Sequence, residues 1–304
     1  MRDAPNPRKT FPAMGGRPFR DETTQRPRTA GAEMPIPCAR RVISTMMAAA
    51  FLLLSAPAMA ATFDRTHAGY DLLLKRFVAD GRVDYKGLKA DPSALDAYLD
   101  SAAGVSEAEF NAWAEPEQLA FLINLYNAAT LKLILDHYPV DSIRDIGTFL
   151  RGPWSRPVVR LFGGAITLDN LEHDIIRKRY DEPRIHVAVV CAAKSCPPLR
   201  SEAYTASALD AQLDDQTRGF LESPIGLRID RARRAVYFSS IFKWYGEDFV
   251  AGFSPKSGFA GLGRTERAVA NFCSGYLSAP DGDYLKAGGY SVKYLDYDWS
   301  LNDR

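Results

Sequence analysis

Downstream of residue 60 the apolar positions recur mostly at helical spacing. Tyr70, Leu73, Leu74 and Phe77 share one side of a helix expected over residues 63–78. Short helices follow over 93–101, after Asp91-Pro92, and over 106–113, where Ser106-Glu107-Ala108-Glu109 is a capping pattern. Glu115-Pro116-Glu117 then opens the strongest helix, 117–137, with proline in the first turn and acids at the positive end of its dipole. Tyr138-Pro139 ends it.

The centre changes period. Residues 158–162 and 165–168 flank Gly163-Gly164, a hairpin signal. Asp169-Asn170-Leu171-Glu172 offers an N-cap acid with a second acid three residues on, opening a helix to about Tyr180 in which Glu172 completes a capping box. Residues 185–190, Ile-His-Val-Ala-Val-Val, have no polar face and are rich in β-branched side chains, so they read as a buried strand. An amphipathic helix over 206–221, a hairpin over 227–229 and 235–239, a short aromatic helix from Ser240 and a last strand within 290–299 complete the pattern. The class is α+β, a helix-rich single domain over 61–304 with a small, mainly antiparallel sheet.

The first 60 residues are of another kind. Residues 1–33 are rich in Pro, Arg, Gly and Thr without apolar periodicity, the composition of a disordered extension. Arg40-Arg41 then precedes an apolar run over 42–54 and the small-residue ending Ala58-Met59-Ala60, the layout of a signal peptide over 34–60 cut near Ala60. An uncleaved anchor is the alternative, for which the run is short. Met34 is an alternative start that would place 1–33 outside the protein. Export predicts a periplasmic or secreted domain with no membrane span after cleavage. Of the chain's 38 Lys/Arg and 37 Asp/Glu, the first 60 residues hold 9 and 4, so residues 61–304 carry about four net negative charges. No basic stripe remains, which argues against nucleic acid and leaves a small molecule or peptide as the expected ligand.

Chemistry concentrates between residues 124 and 196. Asn124 and Asn127 share one face of an otherwise apolar helix, so each amide needs a partner: a neighbouring loop, a substrate or a catalytic imidazole. Glu172 and His173 begin the following helix, and Arg177 lies one turn beyond His173, awaiting either acids or an anionic ligand. Strand alternation would put His186 beside the small Ala188, with room over its ring, and on the opposite face from Cys191. Cys196, in Ser195-Cys196-Pro197-Pro198, is a thiol at a loop tip: a nucleophile, a disulfide partner of Cys191 in an oxidising compartment, or a metal ligand. Zinc would need further ligands, and no CxxC or HxxxH spacing is present, so no metal and no cofactor are expected. Cys273 reads as buried helix packing. Trp244 and Asp248, one turn apart in KWYGEDF, suggest an aromatic plug and a carboxylate able to orient a histidine.

FLINLYNAATL (121–131), ITLDNLEHDIIR (166–177), the stretch 181–206 around PRIHVAVVCAAKSCPPL, and SSIFKWYGEDF (239–249) together resemble the family known as domain of unknown function 547. The resemblance spans roughly 117–249 and names a domain without naming a reaction. Its more distant members replace the residue equivalent to Cys196, which leaves Asn127, Glu172, Arg184 and His186 as the more general set. A long helix leading into a small antiparallel sheet is also the arrangement of papain- and transglutaminase-like hydrolases. Their nucleophilic cysteine opens the core helix, where this chain has Glu117-Gln118-Leu119.

Two functional readings follow. One is an exported hydrolase or acyl transferase with His186 as general base, Cys196 or a water as nucleophile, Asn127 and Glu172 in the catalytic set, and Asn124, His173 and Arg184 binding substrate. The other is a non-catalytic binding or assembly module with a structural Cys191–Cys196 disulfide.

Overall fold

Capping and burial place the helices close to where apolar spacing puts them. The computed structural model describes residues 62–148 and 151–304, so the extension and signal peptide expected over 1–60 lie outside the described residues. Helix α1 (Ala68–Phe77) leads through the short paired strands β1 (Val78–Ala79) and β2 (Arg82–Val83) to α2 (Tyr85–Ala90), α3 (Ser93–Ala103) and α4 (Glu107–Ala112). Ser106 caps α4 by accepting the Glu109 N–H at 3.1 Å, as its sequence pattern implies. Helix α5 (Glu115–His137) has proline in its first turn, and Glu117 folds back to accept the Ala114 N–H at 2.9 Å.

Helix α5 organises the fold. Leu119 to Leu131 is buried without a break, so the helix has no solvent face over that span. Its length and mean hydropathy of 1.3 would suit a membrane span, yet 94% of that window is covered by the protein itself. The surrounding helices and loops supply the cover that lipid would otherwise provide.

After α5 the expected hairpin forms from β3 (Val159–Leu161) and β4 (Gly164–Ile166), but its turn is Phe162-Gly163, one residue earlier than the glycine pair suggested, with Leu161 opposite Gly164 and Val159 opposite Ile166. A π-helical stretch, Asn170–Ile176, runs into α6 (Arg177–Arg179). Helix α7 (Leu209–Glu222) is followed by β5 (Leu227–Asp230) and β6 (Ala235–Phe238), then α8 (Ser240–Tyr245), α9 (Val250–Phe253), α10 (Arg264–Ser274), α11 (Ala279–Ala287) and β7 (Ser291–Tyr294). Strand β6 pairs antiparallel with β5 and parallel with β7. The protein is α+β, helix-rich, with small and mostly antiparallel sheets.

One element differs from expectation. Residues 185–190 are not a strand: Pro183–Val187 is a 3-10 helix that passes into a turn. Pro183 fixes the first φ of that helix, and Glu182 accepts the Arg184 N–H at 3.0 Å. The segment is apolar on every side because it runs between two cores. Ile185, Ala188 and Val190 pack into the α5 core, whereas Val187 joins the core built on β6, α8 and α10. A run buried all round carries no period that separates helix from strand.

Its backbone still needs partners. Asn127 supplies two: Nδ2 donates to the Ala188 carbonyl at 3.0 Å and Oδ1 accepts the Val190 N–H at 2.9 Å. Asn124 grips Tyr204 in the same way, at 2.7 and 3.0 Å, and Gln216 donates to the Val187 carbonyl. The two amides, three residues apart, hold two loops to the core helix. Asn127→Ala leaves a buried carbonyl and N–H unpaired and should cost about 2–4 kcal/mol of unfolding free energy in urea titration, whereas a loss under ~0.5 kcal/mol would show the clamp to be dispensable.

Candidate active site

The π-helical stretch Asn170–Ile176 begins with a reciprocal cap between neighbours. Thr167 Oγ1 donates to Asn170 Oδ1 at 2.9 Å and accepts the Asn170 N–H at 3.0 Å. Asp169 is therefore not needed as the cap and instead accepts from Ser155 Oγ at 2.8 Å. Glu172 makes no capping box either. It turns inward and is buried beside Tyr126 and Tyr245, whose phenols it helps push well above their ordinary values, after burial itself.

Across from it stands His186, whose side chain is 1% exposed. Its Nε2 lies 2.7 Å from Asp248 Oδ2, and its ring stacks on Tyr245 with centroids 4.1 Å apart. An ionised carboxylate can only accept, so Nε2 carries the proton and the neutral ring keeps its lone pair on Nδ1. That Nδ1 is buried and has no partner. Asp248 in turn takes a bidentate pair from Arg177, Nε to Oδ2 at 2.7 Å and Nη2 to Oδ1 at 2.8 Å. Burial alone would raise the Asp248 carboxyl, but hydrogen bonds from His186 and Arg177 hold it well below the usual carboxylate range. Arg177 also donates from Nη1 to His173 Nδ1 at 3.0 Å, which leaves the His173 proton on Nε2.

The thiol loop closes the third side. Its backbone is fixed by the C-terminal segment: Lys194 donates to Ser300, Ser195 to Asp298, and Asn302 to Ala192, at 2.8–3.1 Å. Between the cysteines Ala192 holds a left-handed φ of 58°, a conformation that costs a side-chain-bearing residue about 1–2 kcal/mol. Cys191 is half-buried and Cys196 buried, both unbonded, and the Cys191 N–H donates to Cys196 Sγ at 2.9 Å. Cys191 Sγ also lies 3.1 Å from the Tyr297 hydroxyl. Hydrogen bonding from Cys196 and Tyr297 lowers the Cys191 thiol below its ordinary value against the pull of burial, whereas burial pushes Cys196 well up.

These groups surround one cavity of about 210 Å³. Glu172, His173, His186, Cys191 and Cys196 line it, with Tyr126 and Tyr245 behind them and Trp154, Trp244 and Trp299 at its mouth. Trp244 is not the core plug its spacing suggested: it is 46% exposed and stacks on Trp299 at 5.8 Å. Among the described residues no cluster of three His, Cys, Asp or Glu side chains is arranged to hold a metal ion.

Residues 110–221 match the family model described as protein of unknown function, DUF547. The resemblance read from the motifs therefore holds over these residues. No curated protein and no solved structure gives a match. The DUF547 match covers α5, the π-helical stretch, His186 and both pocket cysteines, while Tyr245, Asp248 and the C-terminal Tyr297 and Trp299 lie beyond it.

Of the residues singled out in the sequence, Glu172, His173, His186 and Cys196 share the cavity. Asn124 and Asn127 do not line it, both ends of each amide being bound to backbone. Arg184 is elsewhere as well. Its guanidinium is held by Glu182, Asp210 and Asp214 at 2.6–2.8 Å. The sequence understated Cys191, Tyr245 and Tyr297. Only the aromatic run KWYGEDF pointed toward Tyr245, and nothing local marks Tyr297.

The ion pair predicts a signed pH dependence. A carboxyl depressed in the folded state stabilises above the ordinary carboxylate pKa of about 4 and loses that contribution as pH falls below it. Asp248→Asn should be less stable than wild type by about 2 kcal/mol at pH 7, with the gap narrowing as pH drops below ~4. A gap independent of pH down to unfolding would refute the assignment.

Proposed function

We propose that this chain is an exported hydrolase or acyl transferase in which His186 is the general base and Cys191 the nucleophile. The observation that carries the reading is the pair of nitrogens on His186. One is fixed by an Arg177-clamped Asp248, and the other, buried and unpartnered, belongs to a side chain lining the same cavity as the Cys191 thiol. A base oriented through one nitrogen and free at the other is what proton transfer to and from a nucleophile requires.

The step balances with groups already present. His186 Nδ1 takes the Cys191 proton as the sulfur attacks a substrate carbonyl, and the imidazolium returns it to the leaving group when the carbon–heteroatom bond breaks. Water or a second nucleophile, deprotonated by the same imidazole, then cleaves the thioester. Asp248 stabilises the transient imidazolium without taking its proton. Cys191 replaces Cys196 as the proposed nucleophile, because Cys196 is the more buried sulfur and burial keeps its thiol protonated.

The contact between the two thiols favours a second reading. In an oxidising compartment Cys191 and Cys196 would bridge, silencing the nucleophile and leaving a ligand-binding cavity or a water-based hydrolase. Intact mass of protein recovered from the export compartment separates the two states.

Turnover of p-nitrophenyl esters and acyl thioesters tests the catalytic reading. His186→Ala and Cys191→Ser should each lower kcat/KM by roughly 100-fold or more, and Cys196→Ser by far less. Full activity in His186→Ala would exclude this chemistry. Full activity in Cys191→Ser with loss in His186→Ala would move the nucleophile to water.

A further inference from the structure

The two cavity thiols are unequal in the way that thiol–disulfide exchange requires. Exchange needs an accessible attacking sulfur and a second sulfur held behind it, protonated until its turn. Cys191 is half-buried and Cys196 buried, and both line the cavity. They hydrogen bond to each other, so the sulfurs are in contact. Each also has a donor of its own. The Tyr297 hydroxyl lies 3.1 Å from Cys191 Sγ, and the Cys191 N–H donates to Cys196 Sγ at 2.9 Å. Burial keeps the Tyr297 phenol protonated, far above its ordinary range, so it donates once Cys191 is a thiolate.

A bridge that only stapled this loop would add little. The loop is already pinned by backbone bonds from Lys194 to Ser300, Ser195 to Asp298 and Asn302 to Ala192. Four residues separate the sulfurs, and closing so short a loop removes little chain entropy. Nor does a staple call for an opening onto a cavity or for donors aimed at its sulfurs. Between the cysteines Ala192 keeps its left-handed φ of 58°, and a bridge closed over strained backbone is of the labile, exchangeable kind.

We propose a second activity for this cavity: thiol–disulfide exchange, with Cys191 the attacking sulfur, Cys196 the resolving one and a slender disulfide the substrate. It shares Cys191 and His186 with the acyl-transfer reading but does not depend on it. Cys191, its proton passed to His186 Nδ1, attacks one sulfur of a disulfide R–S–S–R′. The substrate S–S bond breaks, Cys191–S–S–R forms, and R′S⁻ takes the proton back from the imidazolium and leaves as a thiol. Cys196 then loses its proton to the same nitrogen and attacks the Cys191 sulfur, its charge held by the Cys191 N–H. The mixed disulfide breaks, the Cys191–Cys196 bridge forms, and RS⁻ is protonated by the imidazolium and leaves as the second thiol. The substrate is reduced by two electrons and the cysteine pair is oxidised; an external dithiol reverses the steps and restores the pair. At about 210 Å³ the cavity falls below the roughly 300–1,000 Å³ usual for whole small-molecule ligands, so it admits the sulfur-bearing end of its substrate.

Incubating the reduced, desalted chain with bis(2-hydroxyethyl) disulfide, quenching with N-ethylmaleimide and mapping peptides by mass tests the exchange without any ester. Cys191 should react at least about tenfold faster than in the urea-unfolded chain at the same pH. The product should be a Cys191–Cys196 bridge that dithiothreitol reopens. Cys196→Ser should stop the reaction at a mixed disulfide on Cys191, and Cys191→Ser should leave Cys196 unmodified. Tyr297→Phe should slow Cys191 several-fold and move its pH profile upward. Cys273, buried away from the cavity, is the internal control and should stay unmodified. A mixed disulfide on Cys196, or a Cys191 no faster than in the unfolded chain, overturns the inference. So does a bridge that dithiothreitol cannot reopen in the folded protein, which would be a structural staple. Exchange by a protein that turns over no ester or thioester keeps this activity and rejects the acyl chemistry. Ester turnover by a chain whose Cys191 is inert to disulfides does the reverse.

Discussion

Asp248 is the acceptor on which the site depends. It takes Arg177 with both oxygens and shares one of them with His186. Three segments distant in sequence therefore converge on a single carboxylate: the helix after β4, the 3-10 segment before the thiol loop, and the turn after α8. The arrangement is asymmetric. Asp248 is half-buried, with side-chain exposure of 27%, while His186 is almost wholly enclosed. A buried imidazole with one bonded nitrogen has a fixed orientation, and the guanidinium keeps the carboxylate ionised so that it remains an acceptor. Removing Asp248 would release the ring and leave Arg177 partly buried without its counter-charge.

The cavity also depends on what holds the remaining walls. Asn127 substitutes for a neighbouring strand, pairing with the Ala188 carbonyl and the Val190 N–H directly after the 3-10 helix. The C-terminal segment holds the thiol loop through backbone bonds to residues 192, 194 and 195 and brings Tyr297 onto Cys191. Ala192 keeps its left-handed backbone inside that frame. Strain of this kind persists only where surrounding bonds over-determine it, and here they do. The sulfurs are therefore placed by backbone, while the imidazole is placed by charge.

Much of the fold was legible in local sequence. Ser106, the proline at the start of α5 and Gly163 in the β3–β4 turn act on their immediate neighbours, so their elements form within a residue or two of where the pattern puts them. The 183–190 segment was not, because burial between two cores removes the polar face on which periodicity depends. Glu172 followed a capping pattern but points inward, since Thr167 and Asn170 had already closed the helix start. Arg184 carries the right charge for a substrate ligand, yet three acids from its own neighbourhood and from α7 take its donors. The residues completing the site lie 62 and 106 positions from the groups they touch, Asp248 from His186 and Tyr297 from Cys191. Local sequence marked Asp248 as a carboxylate able to orient a histidine, but contacts at that range leave no signal of which histidine, and none at all for Tyr297.

The wide helix at Asn170–Ile176 explains how Glu172, His173 and Arg177 act at one place. The Arg177 N–H donates to the Glu172 carbonyl, five residues back, in place of the usual four. An extra residue in the turn brings Glu172 and Arg177 toward the same side, while His173 stays within reach of Arg177 through their spacing of four. A regular α-helix would rotate Glu172 away from that side by about 100° per residue of register, against the single turn available. Its carboxylate and the Asp248-bound guanidinium could not then both face the imidazole region. Wide turns are uncommon because they weaken helical packing, and they persist where side chains must share a face that α-geometry separates. Here Glu172 and His173 line the cavity, and Arg177 holds Asp248 beside His186. The departure from regular helix therefore supplies the geometry that sets Glu172 beside Tyr126 and Tyr245 while Arg177 reaches both His173 and Asp248.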